Sequence, residues 1–422
     1  MLPPRTTLTI AAFALAAAVM PNGLRPAQLI STFTLTRPVV AAKLPAPAAT
    51  PQPTEASAPI PDLDVPPGSL DAFYASLRAN KVTRVLHYGD SPTTADSITS
   101  DVRRLLQQQF GDAGHGFVLI AKPWAWYGHS GIRLDATGWE IQPASQHRAS
   151  DGFHGLGGVS FLGAEGAASR VGLPDDQSTG AVVYYLAQPG GGTFTVTAGE
   201  TKIVEVPTDA SEKKPAFAEF ALPPGTSSIE LRVTSGKTRL FGYRFDKPGP
   251  GVQYSSIGIN GASVQTALRY FEPAQWTAAL RHENPALVVL NYGTNESIYP
   301  AYVEKQYPDE LRQVIMRIRA ALPDASLLLM GPMDRGELTG GNIVTPPTLE
   351  KLIEVQKQVA AETGCAFYNT FSAMGGAGTM ARWYRAHPRL VSADFMHPLP
   401  AGAAIVGSLF EGALVKSFEA AQ

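Results

Sequence analysis

The chain has 422 residues and a formal net charge of −2, from 34 Lys and Arg against 36 Asp and Glu. That balance excludes the basic footprint expected of a protein that binds nucleic acid or an anionic membrane surface. A 44% hydrophobic content is enough for a sizeable core in more than one domain, and the single cysteine, Cys365, excludes an intramolecular disulfide and a cysteine-rich structural zinc site.

Arg5 precedes an apolar run from Leu8 to Met20. The run is shorter than the roughly 20 residues of a membrane span, and a basic residue before a short apolar segment fits a secretory signal. Residues 1–30 are therefore expected to be a signal peptide or an uncleaved membrane anchor, which puts the body of the chain in the periplasm or outside the cell. Residues 31–67 are rich in Pro and Ala, with Pro45, Pro47, Pro51 and Pro53 in close succession. Such a composition buries little apolar surface and predicts a disordered linker.

Order is expected from Gly68, with Ser69 capping a helix through Leu77. The run from Thr83 to Tyr88 predicts a short strand ending in a tight turn at Gly89-Asp90-Ser91. A helix follows from Pro92, with Ile98, Val102, Leu105 and Leu106 at helical spacing. From about 135 to 248 this periodicity gives way to short β-type runs separated by Gly-rich turns. Examples are 181–186, 192–198, 202–206, 216–222, 228–233 and 239–245. Spacings of about 10 to 12 residues predict an antiparallel β-sandwich. After Gly251 the α/β texture returns: strands at 286–293 and 325–332, and helices at 308–321, 347–363 and 400–419. Cys365 reads as a small buried hydrophobe at the start of a further strand. The expected organisation is 1–30 signal or anchor, 31–67 linker, 68–134 first part of an α/β domain, 135–249 an inserted β-sandwich, and 250–422 the second part of the α/β domain.

Four short segments carry chemistry. A serine in a turn from strand to helix, as at Ser91, is the layout of a nucleophile turn, and equally that of a plain helix cap. Asp394 and His397 lie three residues apart, close enough for the carboxylate to orient the imidazole and stabilise its charged form. The pair also reads as a solvated loop before the last helix. Asn295 follows the strand ending near Leu290, where the ligand crevice of an open parallel sheet lies, and its amide suits an oxyanion. The turn from Gly258 to Gly261 lets a backbone N–H approach a substrate closely.

Taken in order, Ser91, Gly261, Asn295 and His397, with Asp394 three residues before the histidine, resemble the four sequence blocks of the SGNH (GDSL-like) hydrolases. The resemblance covers roughly residues 68–134 and 250–420. It is nearest to bacterial peptidoglycan O-acetylesterases of the Ape type, in which a sandwich related to carbohydrate-binding modules separates the first two blocks. It implies an α/β fold with a three-layer parallel-sheet hydrolase domain interrupted by an antiparallel β-sandwich. It also implies a catalytic set of Ser91, Asp394 and His397, and an oxyanion hole formed by Ser91, Gly261 and Asn295. Pro92 stands where those esterases often have His, and Glu296 replaces the commoner Asp. Proline has no N–H, so the residue after the serine does not donate to an oxyanion here as it does in α/β-hydrolases.

The expected function is removal of O-acetyl groups from a cell-envelope carbohydrate, with an acetylated glycan, peptidoglycan above all, as partner, and neither cofactor nor metal. A polysaccharide O-acetyltransferase using the same triad and a non-catalytic glycan-binding protein are the competing readings; a lipid or aryl esterase is a further one. His87, His115, His129, His147 and His154 read as structural or supporting residues. Trp124, Trp126 and Tyr127 read as packing at an interdomain seam, with stacking on sugar rings as the alternative.

Overall fold

The computed structural model describes residues 62–146 and 148–421. The expected signal or anchor, most of the expected linker, and His147 lie outside the described residues. Residues 62–67, assigned above to the linker, belong instead to the folded body. Asp64 exchanges two backbone hydrogen bonds with Phe367, each 2.9 Å long, and its carboxylate pairs with Lys357. The first helix spans Asp71–Arg78 and starts at Leu70 with no side-chain cap. The Ser69 hydroxyl is buried without a partner, so the expected cap is not formed.

Five parallel strands form one sheet in the spatial order Gly251–Gly258, Val82–Gly89, Leu287–Asn291, Ser326–Met330, Ala366–Tyr368. Their residues are almost uniformly buried, as expected when helices cover both faces of a parallel sheet. The first strand in the chain is second in this order, flanked by strands that lie more than 160 residues downstream. The order along the sheet reverses there, and ligands bind beyond the carboxyl ends of the strands at such a switch point. Tyr307–Ala321, Pro347–Thr363 and Pro400–Ala420 supply the expected helices. The last is long and apolar, and it packs Val406, Phe410 and Leu414 into the core beneath the sheet. Cys365 is free and buried, immediately before the strand Ala366–Tyr368.

Between the first two blocks the chain builds a nine-stranded antiparallel sheet. Each β-type run read from the sequence falls on one of its strands, but three features differ from expectation. The sheet starts earlier than 135, because Gly116–Val118 pairs with Lys237–Asp246. A long strand, Arg133–Pro143, joins it, and this was not foreseen; its alternating exposure is interrupted by a register shift at Thr137/Trp139. Hydrogen bonds link all nine strands into a single, nearly barrel-like sheet rather than two separate layers. Its core is continuous with that of the parallel sheet: Phe117, Tyr184 and Val196 belong to the same apolar cluster as Tyr88, Trp276 and Val314. At this seam Trp276 donates its indole N–H to Tyr88 at 3.1 Å, and Arg244 and Tyr184 both donate to the fully buried Glu283.

Candidate active site

Three turns at the carboxyl ends of the three neighbouring strands carry the site. The first follows Val82–Gly89. The expected single helix after Gly89 is broken into Ser91–Thr94 and Ser97–Phe110. The break is at Asp96, whose φ of +57° is left-handed and whose carboxylate is held by Arg103, Thr99 and the Ser130 N–H. Ser91 is the first residue of the short helix and Pro92 the second, so the missing N–H of proline leaves no helical bond unmade. Two glycines let this helix sit where it does. A Cβ on Gly89 would lie 2.1 Å from Thr93 Oγ1, and one on Gly258 would lie 2.3 Å from the Thr94 nitrogen. Gly258 therefore makes room for the serine turn rather than for a substrate.

The second turn follows Gly251–Gly258. Gly261 sits in it at φ +70°, exposed, with open space where a side chain would project. Among the described residues no backbone hydrogen bond engages its N–H. The third turn follows Leu287–Asn291. There Asn295 donates its side-chain amide to the Ala262 carbonyl at 2.7 Å, which uses one of its two amide hydrogens. Gly261 and Asn295 line one end of a cavity of about 370 Å³ whose other walls include Ile298, Tyr299 and Tyr302.

The loop from Val391 to Pro398 closes on itself through a bridge between those two residues and a 2.9 Å bond from Ser392 N–H to the His397 carbonyl. Phe395 adopts φ +57° inside it, an unusual conformation for a bulky side chain, with its ring packed on Tyr384 at 4.8 Å. This fold-back brings the residues three apart face to face. His397 Nδ1 lies 2.7 Å from Asp394 Oδ2, and His397 Nε2 lies 2.8 Å from Ser91 Oγ. Burial alone would raise the Asp394 carboxyl, but bonds from Ser392, His397 and the Met396 and His397 amides outweigh it and hold the group well below the usual carboxylate range. The sequence candidates Ser91, Asp394 and His397 thus form one continuous hydrogen-bonded chain, while Gly261 and Asn295 stand together on the adjoining turns.

Two buried carboxylates brace these turns, and spacing alone did not single them out. Glu296 accepts from the Val264 N–H at 2.8 Å and so ties the third turn to the second. Asp90 hydrogen-bonds to Thr294, tying the first to the third. Burial, with the Glu296 charge adding to it, pushes Asp90 up to about 8. Burial, against hydrogen bonds from Val264 and nearby backbone, pushes Glu296 up to about 7. The signal available in the sequence was their position: each adjoins a candidate functional residue.

The other histidines lie in structural settings. His87 is buried with Nδ1 2.7 Å from the Tyr254 hydroxyl, and burial lowers it to about 4. His129 bonds the His115 carbonyl and His154 the Gln142 carbonyl, and burial lowers all three of His115, His129 and His154. Trp124 and Tyr127 are buried, while Trp126 is 54% exposed, so the aromatic cluster divides between packing and open surface. Among the described residues no group of three or more His, Cys, Asp or Glu is arranged to hold a metal ion.

The model of the GDSL-like Lipase/Acylhydrolase family matches residues 229–405, which include Gly261, Asn295, Asp394 and His397 but not Ser91. The fold is similar to that of a solved peptidoglycan O-acetylesterase at a TM-score of 0.72, with 21% identity over 85% of this chain and 99% of that one. The family match thus covers the second α/β part of the chain, and the fold as a whole is that of the solved esterase. The chain also matches an acetylxylan esterase from Geobacillus stearothermophilus, with 22% identity over 39% of this chain and 73% of that one, at a TM-score of 0.30. No curated protein matches it.

Proposed function

We propose that the protein removes O-acetyl groups from a cell-envelope glycan, peptidoglycan in the first place, by a serine acyl-enzyme mechanism. The observation that carries the reading is the unbroken chain Asp394–His397–Ser91, with Gly261 and Asn295 on the turns after the two strands that flank the serine strand.

In this mechanism His397 Nε2 takes the proton of Ser91 Oγ as that oxygen attacks the acetyl carbonyl. Asp394 fixes the tautomer with Nδ1 protonated and offsets the imidazolium charge. The tetrahedral oxyanion is received by the Ser91 N–H, the Gly261 N–H and the second hydrogen of the Asn295 amide. Ser91 stands at the first helical position, where an N–H has no intrahelical partner. His397 then protonates the departing sugar hydroxyl. Water, deprotonated by the same nitrogen, releases acetate and restores Ser91. The antiparallel sheet is read here as a carbohydrate-binding-like insert that frames the polymer. The segment around Arg5 and Leu8–Met20 is read as the export signal or anchor that takes the enzyme to a periplasmic or secreted location.

Acetate release from a panel of acetylated polysaccharides, O-acetylated peptidoglycan included, tests this with the full chain and with Ser91→Ala. The expected result is acetate from acetylated glycan that is lost in the variant. Cleavage of long-chain esters with acetate from none of the glycans overturns the substrate. Undiminished turnover by Ser91→Ala overturns the serine mechanism. Transfer of acetyl to an added acceptor glycan in place of acetate release assigns the chain to the transferases.

A further inference from the structure

An ester has two sides, and a cavity lies against the two proposed oxyanion donors outside the triad, Asn295 and Gly261. Its far wall is formed by Ile298 and Tyr299, which are 48% and 58% exposed. Large apolar side chains this exposed are few among the described residues, and these two are adjacent in the chain, three and four positions after Asn295. The backbone of Tyr299 is fixed on both sides. Tyr299 donates its backbone N–H to the Glu296 carbonyl at 3.0 Å and accepts from Val303 at 3.0 Å. Pro300 opens the next helix immediately after it.

The remaining wall is polar. Tyr302 donates its hydroxyl to Glu310 at 2.5 Å, and Glu310, itself 7% exposed, is also paired with Arg269. Gln265 hydrogen-bonds within the same group, and Ser263 adds a hydroxyl. An acyl chain would be matched by apolar walls all round. An apolar ring face on one side, with anchored hydroxyl and amide groups on the other, suits a sugar ring, which presents C–H bonds on its faces and hydroxyls at its edge. A volume of about 370 Å³ lies at the small end of ligand sites and has room for a single substituted ring.

We propose that this cavity is the subsite for the acetylated sugar itself. One pyranose ring lies against Tyr299, with its polar edge toward Tyr302 and Gln265, so that the acetyl carbonyl reaches the Gly261 and Asn295 donors. This rests on the deacetylase reading above and adds the residues that select the sugar over other alcohols.

The test measures kcat and KM of the full-length protein on O-acetylated peptidoglycan, p-nitrophenyl acetate and p-nitrophenyl octanoate, for the parent chain, Tyr299→Ala and Tyr299→Trp. The expected result for Tyr299→Ala is a glycan-to-aryl-acetate selectivity about tenfold lower, carried by KM, consistent with loss of one aromatic contact. Tyr299→Trp, which keeps an aromatic face, is expected to restore most of it. An unchanged selectivity ratio overturns the subsite, as does a loss confined to the octanoate, which would assign the cavity to the acyl chain. If the parent chain releases no acetate from any glycan, the deacetylase reading fails instead, so the two failures are distinguishable.

Discussion

Asn295 donates its side-chain amide to the carbonyl of Ala262 across a 2.7 Å bond, fastening the turn that follows one parallel strand to the turn that follows another. The proposed oxyanion donor is therefore also the clip that sets the position of the Gly261 N–H. Asn295→Ala removes a donor and releases the glycine turn together. The expected loss in kcat on p-nitrophenyl acetate is about 10²–10³ or somewhat more. Asn295→Asp, which has no hydrogen to give to Ala262, is expected to be as poor.

Ser91 and His397 act as a unit in the proposed mechanism, so their losses should not add. Ser91→Ala and His397→Ala are each expected to lower kcat by about 10⁴ or more, and the double variant to fall no further than the worse single one. Asp394→Asn is expected to cost less than either. Steady-state kinetics on one small acetyl ester checks all four variants; additive losses would speak against a shared proton path.

The two bracing carboxylates make stability depend on pH. A carboxyl group raised in the folded state binds its proton more tightly there than in the unfolded chain. Its contribution is full below the unfolded value and is lost as pH rises through the folded one. For Asp90, at about 8, and Glu296, at about 7, the window runs from near pH 4 to about 8. Melting temperature is expected to fall with rising pH across that window. Glu296→Gln keeps an oxygen for the Val264 N–H and removes one of the two charges, so it is expected to flatten the fall. Thermal scans of both proteins at half-unit pH steps measure this.

Asp96 and Arg103 form a buried pair, 0% and 3% exposed in their side chains, with the Asp96 carboxylate also accepting from Thr99 and Ser130. Taking one partner away leaves an uncompensated buried charge. Arg103→Met is expected to destabilise the protein by about 3–5 kcal/mol in denaturant titration, whereas the Arg103→Met/Asp96→Asn double variant should recover part of that loss.

The candidate site was legible because its residues lie in short, local patterns. Asp394 and His397 stand three apart, and Ser91 and Asn295 each follow a strand whose apolar run is unmistakable. What sequence patterning did not disclose depends on contacts between distant segments. Gly258 looked like a glycine that admits substrate, and its real neighbour is Thr94, more than 160 positions earlier. The helix after Ser91 has continuous helical spacing, yet Asp96 breaks it because the chain forms a left-handed turn there around Arg103. Arg133–Pro143 escaped notice because a bulge at Thr137/Trp139 shifts its alternation midway. The single rolled sheet in place of two layers is a matter of which strands pair, and spacing between strands carries no record of that.

The interior position of the strand Val82–Gly89 bears on how the protein comes into being. As the chain emerges from the ribosome, this strand exists long before either of its sheet partners, and both of its edges stay unpaired until Gly251–Gly258 and Leu287–Asn291 are made. All the strands of the nine-stranded sheet are made in the interval, so their pairings can precede those of the parallel sheet. Assembly of the parallel sheet then amounts to a late closure around a waiting strand, and the proposed nucleophile, at that strand's end, meets its histidine only after the 306 positions that separate them have been synthesised.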